Sequence, residues 1–238
     1  AVFALARIEG QGLAPELAKL IADPDADIRE QIAVALGNAE SSYSKAGDQL
    51  VLMMRDREKK VRVAAILGIA KRKYQPAMIN LSRMVSYPDV MILRAVFAAL
   101  LALETPDNTA KLRSAFQKGM IKNDSKVRLI CLKALAKGTT KPDLEAIRNA
   151  SFDRSKDVKM AAIAVLKASK LPEAMEVLGN WYGDEDHSVR EAALDALFAI
   201  PVPEDWKRKK KRYMNDFIQT PNQPAKLVQK AKDMLGKI

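Results

Sequence analysis

The sequence predicts an all-α fold, an α-solenoid of about six to seven stacked helical hairpins. The first observation is a phrase that recurs six times: an aspartate, a few polar residues, an aliphatic residue, then arginine or lysine opening an alanine-rich helix. The second is its spacing of 31–34 residues, a period typical of helical-repeat arrays. The basic residues of the phrase are Arg29, Arg62, Arg94, Arg128, Lys159 and Arg190.

A third observation is an apolar stripe along the second helix of each unit. Counted from the basic residue, positions −1, +4 and +7 are apolar in every copy, the spacing with which a helix buries one face. These residues are Ile28, Val61, Leu93, Val127, Val158 and Val189; Ala33, Ile66, Ala98, Leu132, Ile163 and Leu194; and Leu36, Ile69, Leu101, Leu135, Leu166 and Leu197.

Acidic and hydroxyl side chains precede the second helices at two fixed positions. Four residues before the basic residue stand the expected N-caps Asp25, Asp124, Ser155 and Asp186, a pattern that Glu58 and Val90 interrupt. Six residues before it, four of the units have a further aspartate: Asp23, Asp56, Asp153 and Asp184. The third and fourth units lack it. We expect this second set to bind turn amides and to pair with the basic residue of a neighbouring unit.

The chain divides into a repeat array at 1–201 and a diverged capping hairpin at 202–238. The array is expected to start inside a repeat, because the first eight residues look like the end of a second helix, so further sequence should precede Ala1. Pro203 and Pro224 open the two predicted helices of the cap. The predicted units are approximately 13–43, 44–74, 75–104, 105–138, 139–169 and 170–201.

The aliphatic–arginine step, the alanine-rich second helix and the short period resemble HEAT repeats. The similarity is strongest to the short bacterial-type HEAT-like repeats of the phycobilisome-lyase class, and it covers about residues 13–201. The resemblance implies a right-handed superhelix whose second helices line the concave face. It implies little about function, because such repeats serve many unrelated tasks.

The bulk composition excludes several classes of protein. Apolar residues make up 48% and charged residues 29%, as in globular domains. No apolar run reaches about 18 residues without charge, so no transmembrane helix is predicted. Cys131 is the only cysteine, which excludes an internal disulfide and favours a reducing compartment such as the cytoplasm without establishing it.

The middle second helices are apolar on almost every side, which has two interpretations. Either these side chains are buried between tightly packed helices, or they form a concave groove that receives a helix or extended segment of a partner protein. The candidate partner contacts are Val63, Leu67, Val96, Leu103, Ile130 and Met160.

Basic residues gather at the ends of the second helices and near the C-terminus. The net charge is +11, and residues 203–238 hold ten basic and four acidic side chains, so +6 of the excess lies there. The expected basic edge consists of Lys71, Arg72, Lys73, Lys137, Lys141, Lys167 and Lys170, and the basic run of Lys207, Arg208, Lys209, Lys210, Lys211 and Arg212. Both sets suit nucleic acid, an anionic membrane surface or an acidic protein, and both also suit a solvated surface.

Candidate catalytic residues are few. The only histidine, His187, stands among acids that recur as caps, so no metal site is predicted. HEAT-like DNA glycosylases offer one enzymatic alternative, for which Asp195 would be the acid and Trp181 and Tyr182 the nearest aromatic residues. Cys131 lies on the core side of its helix. We therefore expect a non-catalytic protein-binding scaffold, monomeric on its own and without cofactor, with binding to nucleic acid or an anionic surface as the alternative.

Overall fold

The structure is a computed structural model that describes residues 19–39 and 45–238. Within these ranges every regular element is a helix, as expected for an α-solenoid, and no helix is long and apolar enough to cross a membrane. The predicted half-repeat at residues 1–12 lies outside the described part of the chain. The coordinates form two compact units, Ala1–Ala115 and Phe116–Ile238.

Within residues 19–39 and 45–115, the first unit contains three second helices and two shorter first helices. The second helices are α1 (Ala26–Asn38), α3 (Lys59–Arg72) and α5 (Val90–Ala102). The first helices are α2 (Ala46–Met53) and α4 (Met78–Arg83), the latter preceded by a 3-10 turn at Gln75–Ala77. Helix α1 packs on α3 and α3 packs on α5, so the second helices form consecutive layers. Helix α6 comprises Thr109–Gly119.

The second unit repeats this arrangement and ends in a longer hairpin. Its second helices α7, α9 and α11 pack on each other in chain order, and the final pair α12 and α13 packs together and against α11. The bounds are α7 (Ser125–Leu135), α8 (Lys141–Arg148), α9 (Lys156–Ser169), α10 (Ala174–Leu178), α11 (His187–Ala199), α12 (Glu204–Gln219) and α13 (Ala225–Leu235). Pro203 and Pro224 occupy the N-cap positions of α12 and α13, where no backbone N–H is needed from them.

The predicted apolar stripe forms the core except at Ile28, which is half-buried, and in the third repeat, where the register changes. In the third repeat Phe97 and Leu100 are fully buried, whereas the predicted core residues Ala98 and Leu101 are only half-buried. The cause is the N-cap, which is Asp89, five residues before Arg94 rather than four; its carboxylate accepts from the N–H groups of Met91 and Ile92. Counted from its cap, the helix places Leu93 where the other repeats have arginine or lysine.

The predicted caps Asp25, Asp124 and Asp186 each accept a hydrogen bond from a backbone N–H in the first turn of their helix. Ser155 and Glu58 stand at N-cap positions but form no such side-chain bond. Aspartate side chains reach the free N–H groups of a helix end and place negative charge there, and both effects stabilise the helix.

Helices α1 and α3 approach closely because glycine faces glycine between them. A Cβ atom built on Gly37 would lie 2.6 Å from the Cα of Gly68, closer than two carbon atoms can pack. Only glycine therefore fits at position 37 at this helix separation. These two glycines therefore fix the distance between the first two layers.

We expect Gly37→Ala to lower the free energy of unfolding by about 1–3 kcal/mol, because the new methyl group would push α1 away from α3. Gly179→Ala is the matched control: its Cβ would meet no atom nearer than 3.9 Å, and its backbone is already helical. Urea unfolding followed by circular dichroism measures both. Equal stability of Gly37→Ala and wild type would show that the layers are not held at this distance.

Candidate functional site

A pair of charged side chains joins the turns of neighbouring repeats. Arg29, only 4% exposed, donates from Nε to Oδ2 of Asp56 at 2.7 Å and from Nη2 to Oδ1 at 2.9 Å. Its Nη1 donates to the carbonyl oxygens of Asp23 and Pro24 in its own turn. Asp56 Oδ1 also accepts from the N–H of Glu58 at 2.8 Å. One guanidinium thus ties its own turn to the next.

The second unit repeats this geometry at two junctions. Arg128 pairs with Asp153, and Lys159 Nζ donates to Asp184 Oδ2 at 2.7 Å. Asp153 and Asp184 each accept in addition from the N–H two residues later, at 2.8 and 3.0 Å. The predicted double role of this aspartate, as turn acceptor and as partner of the preceding basic residue, is confirmed at Asp56, Asp153 and Asp184.

The pairing is interrupted where the next repeat lacks the acid. In each paired junction the aspartate stands two residues before the N-cap of the next second helix. This position is Tyr87 in the third repeat and Asn222 before α13. The Nε atoms of Arg62 and Arg190 are accordingly buried without an acceptor among the described residues. Each still donates from Nη1 to a carbonyl of its own turn, Asp56 and Asp184 respectively.

An apolar groove of about 500 Å³ lies on the first unit, along helices α1 and α3. Its exposed apolar side chains are Val34, Leu67 and Met91, which are 40%, 48% and 55% exposed. Val63 lines it and is half-buried, while Gly37 and Gly68 are also among its lining residues. Single exposed apolar residues are ordinary on protein surfaces, but several in one concavity mark a binding surface.

The rim of this groove is mainly basic. Lys59, Lys60 and Lys71 line it together with Glu30, so cations outnumber anions three to one. Each lysine is held by a neighbouring side chain: Lys59 by Asp89 at 3.2 Å, Lys60 by Asp27 and Lys71 by Asn38. Two of the three rim lysines thus already have an acidic partner, and Lys71 has a neutral one.

The predicted partner contacts divide into two groups. Leu67 is exposed, and Val63, Ile130 and Met160 are half-buried on their helices. Val96 and Leu103 are wrong as contacts, because both are fully buried. The register of α5 moves Val96 to the position of Ile32 and Cys131, which is core in both repeats, and Leu103 ends the helix inside the fold.

The structure adds Val34 and Met91, which sequence reasoning missed. Val34 had a recognisable signal, since it stands five residues after Arg29, as Leu67 stands five after Arg62. In the second unit the same position holds Lys133, Ala164 and Asp195. The apolar pair at this position is thus a property of the first two repeats, which the periodic pattern alone did not distinguish.

The predicted basic edge is exposed apart from Arg72, which is half-buried. Arg72 Nη1 donates to the carbonyl oxygens of Leu36 and Ala39, and so closes the end of the neighbouring helix. Lys141 pairs with Glu173, and Lys73 and Lys170 end α3 and α9 in the left-handed conformation. Much of this edge therefore has a structural role at helix ends.

The predicted basic run on α12 is exposed except at one residue. Lys210 is only 6% exposed, so its place in a binding run is wrong. Its Nζ donates to the carbonyl oxygens of Phe198 and Ile200, at 2.6 and 2.7 Å, at the C-terminal end of α11. Burial lowers the pKa of Lys210 below its ordinary value. Lys209 lies over the ring of Trp206, 4.3 Å from its centroid.

The residues considered for catalysis have structural surroundings. Asp195 binds Nζ of Lys230 at 2.8 Å, and the aromatic residues Trp181 and Tyr182 are buried, so they do not form the exposed walls of a base pocket. Cys131 is fully buried, and burial raises the pKa of its thiol. No group of metal ligands occurs among the described residues, and His187 is exposed at the start of α11.

Comparison with known proteins finds a family model that matches part of the chain. Residues 117–198 match the family model for HEAT repeats. Over 71 residues the chain is 34% identical to Protein YibA of Escherichia coli (strain K12), a stretch covering 30% of this chain and 25% of YibA. The sequence match therefore spans about a quarter of the length of that relative.

Solved structures extend the likeness in fold to the whole chain. The X-ray structure of YibA from E. coli superposes with a TM-score of 0.68 at 16% identity, covering 100% of this chain and 86% of that one. An archaeal HEAT-like repeat protein from Thermococcus onnurineus NA1 gives 0.56 at 12% identity, covering 96% and 98%. The complex of CpcE and CpcF of phycocyanin lyase from Nostoc sp. PCC7120 gives 0.50 at 19%, covering 91% and 86%.

We expect Asp56→Asn to destabilise the protein at neutral pH by about 1–2 kcal/mol, because Arg29 would lose its charged acceptor. The hydrogen bond from Arg29 lowers the pKa of Asp56 below its ordinary value of 3.8. The contribution is therefore present above about pH 4 and is lost as the pH falls through the lowered pKa. The stability difference between wild type and variant should shrink in that range.

Denaturant unfolding at a series of pH values measures this difference, with Asp107→Asn, an exposed aspartate of the same unit, as the control. A difference that stays constant down to pH 2 would contradict the pairing.

We expect Lys210→Met to lower the free energy of unfolding by about 1–3 kcal/mol, because two carbonyl oxygens at the end of α11 would lose their donor. Lys211→Met changes the exposed neighbour and should leave stability nearly unchanged. Thermal unfolding of the two variants compares them directly. Equal melting temperatures would show that Lys210 does not close α11.

Proposed function

We propose that this HEAT-repeat protein is a non-catalytic scaffold that binds a segment of another protein in the groove along α1 and α3. The observation that carries the proposal is the set of exposed apolar side chains Val34, Leu67 and Met91 in one concavity. Repeat arrays suit this role because each repeat adds surface without altering the geometry of its neighbours.

The apolar side chains supply the driving force. Burial of apolar surface contributes about 25 cal/mol of free energy per Å², so complete burial of one leucine or methionine is worth about 1.5–3 kcal/mol. Val34, Leu67 and Met91 are about half exposed, so each can still contribute part of this amount on binding. Binding energy in such surfaces is concentrated in a few central residues surrounded by a polar rim. Leu67 has the exposed apolar neighbours and the lysine rim that a central residue requires.

The preferred occupant is an amphipathic segment with acidic residues beside its apolar face. An apolar stripe of a helix, or alternate side chains of an extended strand, would fill the groove. The acidic flanks would meet Lys71, whose partner Asn38 is neutral, and would compete with Asp89 and Asp27 for Lys59 and Lys60. Complementary charge mainly increases the association rate and selects among partners. HEAT-like chains also occur in assemblies of two proteins, as in the complex of CpcE and CpcF.

The non-catalytic part of the proposal is supported by the surroundings of the candidate reactive groups. Asp195 is held in an ion pair with Lys230, and the Cys131 thiol is buried with a raised pKa. Neither has the accessible partner that general acid–base or nucleophilic catalysis requires. Binding of nucleic acid or an anionic surface remains the alternative, through the five exposed cations of the basic run on α12.

We expect Leu67→Asp to abolish binding of groove-directed peptides without unfolding the chain, because this side chain is already 48% exposed. A phage-displayed library of 15-residue peptides selected on the wild-type chain supplies the probes, and fluorescence anisotropy measures their affinities. Ile79→Asp is the matched control, because Ile79 is 62% exposed in the same unit but outside the groove.

Loss of at least tenfold in affinity for Leu67→Asp, with Ile79→Asp unchanged, supports the groove; a tenfold change corresponds to about 1.4 kcal/mol. Peptides that bind both variants equally would contradict it. Duplex DNA titrated at two salt concentrations tests the alternative: steeply salt-dependent binding that weakens on reversing the charges of Lys207, Arg208, Lys209, Lys211 and Arg212 would favour that function instead.

A further inference from the structure

Arg62 stands where the pairing between turns is interrupted. Its Nη1 donates to the carbonyl oxygens of Asp56 and Arg57, at 2.7 and 2.8 Å, just as Arg29 binds its own turn. Nε is buried without an acceptor. At the equivalent point of the next turn, where Asp56 receives Arg29, the chain has Tyr87. Among the residues that the structure describes, none supplies the carboxylate that this guanidinium would receive at a paired junction.

A cleft of about 440 Å³ opens beside this guanidinium. Arg62, Tyr87, Arg55 and Arg83 line it, together with Asn80 and the already engaged Asp56. Arg55 and Arg83 are exposed, and within the part of the chain that the structure describes their side chains form no hydrogen bond or ion pair. Three guanidinium groups thus border one small concavity.

The balance of charge in the cleft strongly favours an anion. Asp56 is the only acidic residue in its lining, and both of its oxygens are already bound by Arg29. Within the described part of the chain, the lining of the cleft therefore holds no free carboxylate to neutralise its cationic side chains. Guanidinium groups bind carboxylate and phosphate oxygens through paired, charge-assisted hydrogen bonds, and Asn80 and Tyr87 can add neutral donors.

We propose that this cleft is an oxyanion-binding site that takes a carboxylate or phosphate group. The bound oxyanion replaces the aspartate that the third repeat lacks and is held jointly by Arg62, Arg55 and Arg83. The site is separate from the apolar groove, with which it shares no lining residue. It therefore does not depend on the proposed protein-binding function.

Tyr87 provides a sharp test, because the neighbouring junctions show what an aspartate does at its position. Asp56 and Asp153 each accept from a turn N–H two residues later while they receive the preceding arginine. Tyr87→Asp should place a carboxylate on Arg62 and occupy the site from within. Tyr87→Asn removes the same ring without adding charge and is the matched control.

Isothermal titration calorimetry with inorganic phosphate and with succinate, at constant ionic strength set by sodium chloride, measures binding to the whole chain. We expect saturable binding by wild type and Tyr87→Asn. The affinity of Tyr87→Asp, Arg83→Gln and Arg55→Gln should be lower by a factor of about ten or more. The ratio of the phosphate and succinate affinities tells which oxyanion the site prefers. Leu67→Asp should bind phosphate as wild type does.

Three results would overturn the proposal. The first is absence of saturable binding of either probe by wild type. The second is an equal affinity of Tyr87→Asp and Tyr87→Asn, which would show that the anion does not bind in place of the missing aspartate beside Arg62. The third is unchanged binding by Arg83→Gln and Arg55→Gln, both of which alter exposed side chains and should leave the fold intact.

Discussion

The bond from the basic residue of one repeat to the aspartate of the next is the constraint on which the rest of the structure depends. Arg29 binds two carbonyl oxygens of its own turn and both oxygens of Asp56, and Asp56 also receives the N–H of Glu58. Apolar packing is largely non-directional and would tolerate small shifts between layers. The paired hydrogen bonds between guanidinium and carboxylate are directional, so they set the register in which the apolar stripes of neighbouring repeats meet.

The same repeated framework produces the two surfaces with functional interest. The position five residues after the basic residue carries Val34 and Leu67 in the first unit, but Lys133, Ala164 and Asp195 in the second. Likewise, the position two residues before the N-cap carries Asp56, Asp153 and Asp184 at paired junctions and Tyr87 at the interrupted one. Equivalent backbone positions thus contribute to a groove, an ion pair or a cleft according to the side chain that occupies them.

Periodicity predicted the fold and much of the core, because burial of one helix face leaves a regular trace in sequence. The aspartates at 56, 153 and 184 could also be assigned a role, since their spacing from the basic residue is constant. The register of the third repeat was not predicted, because Arg94 resembles the repeated basic residue. The capping carboxylate of Asp89 starts the helix one residue earlier than that alignment implies. Val96 and Leu103 were misassigned for that reason, and Lys210 because its neighbours are all cationic while its ammonium group closes α11.

The pairing between turns also gives the array a polarity. At each paired junction the N-terminal member contributes the cation and the C-terminal member the anion, so the two ends of a repeat are chemically different. Copies can therefore be concatenated in one orientation only, and an extra repeat grafted after Ile200 would need an acid two residues before the N-cap of its own second helix to engage Arg190.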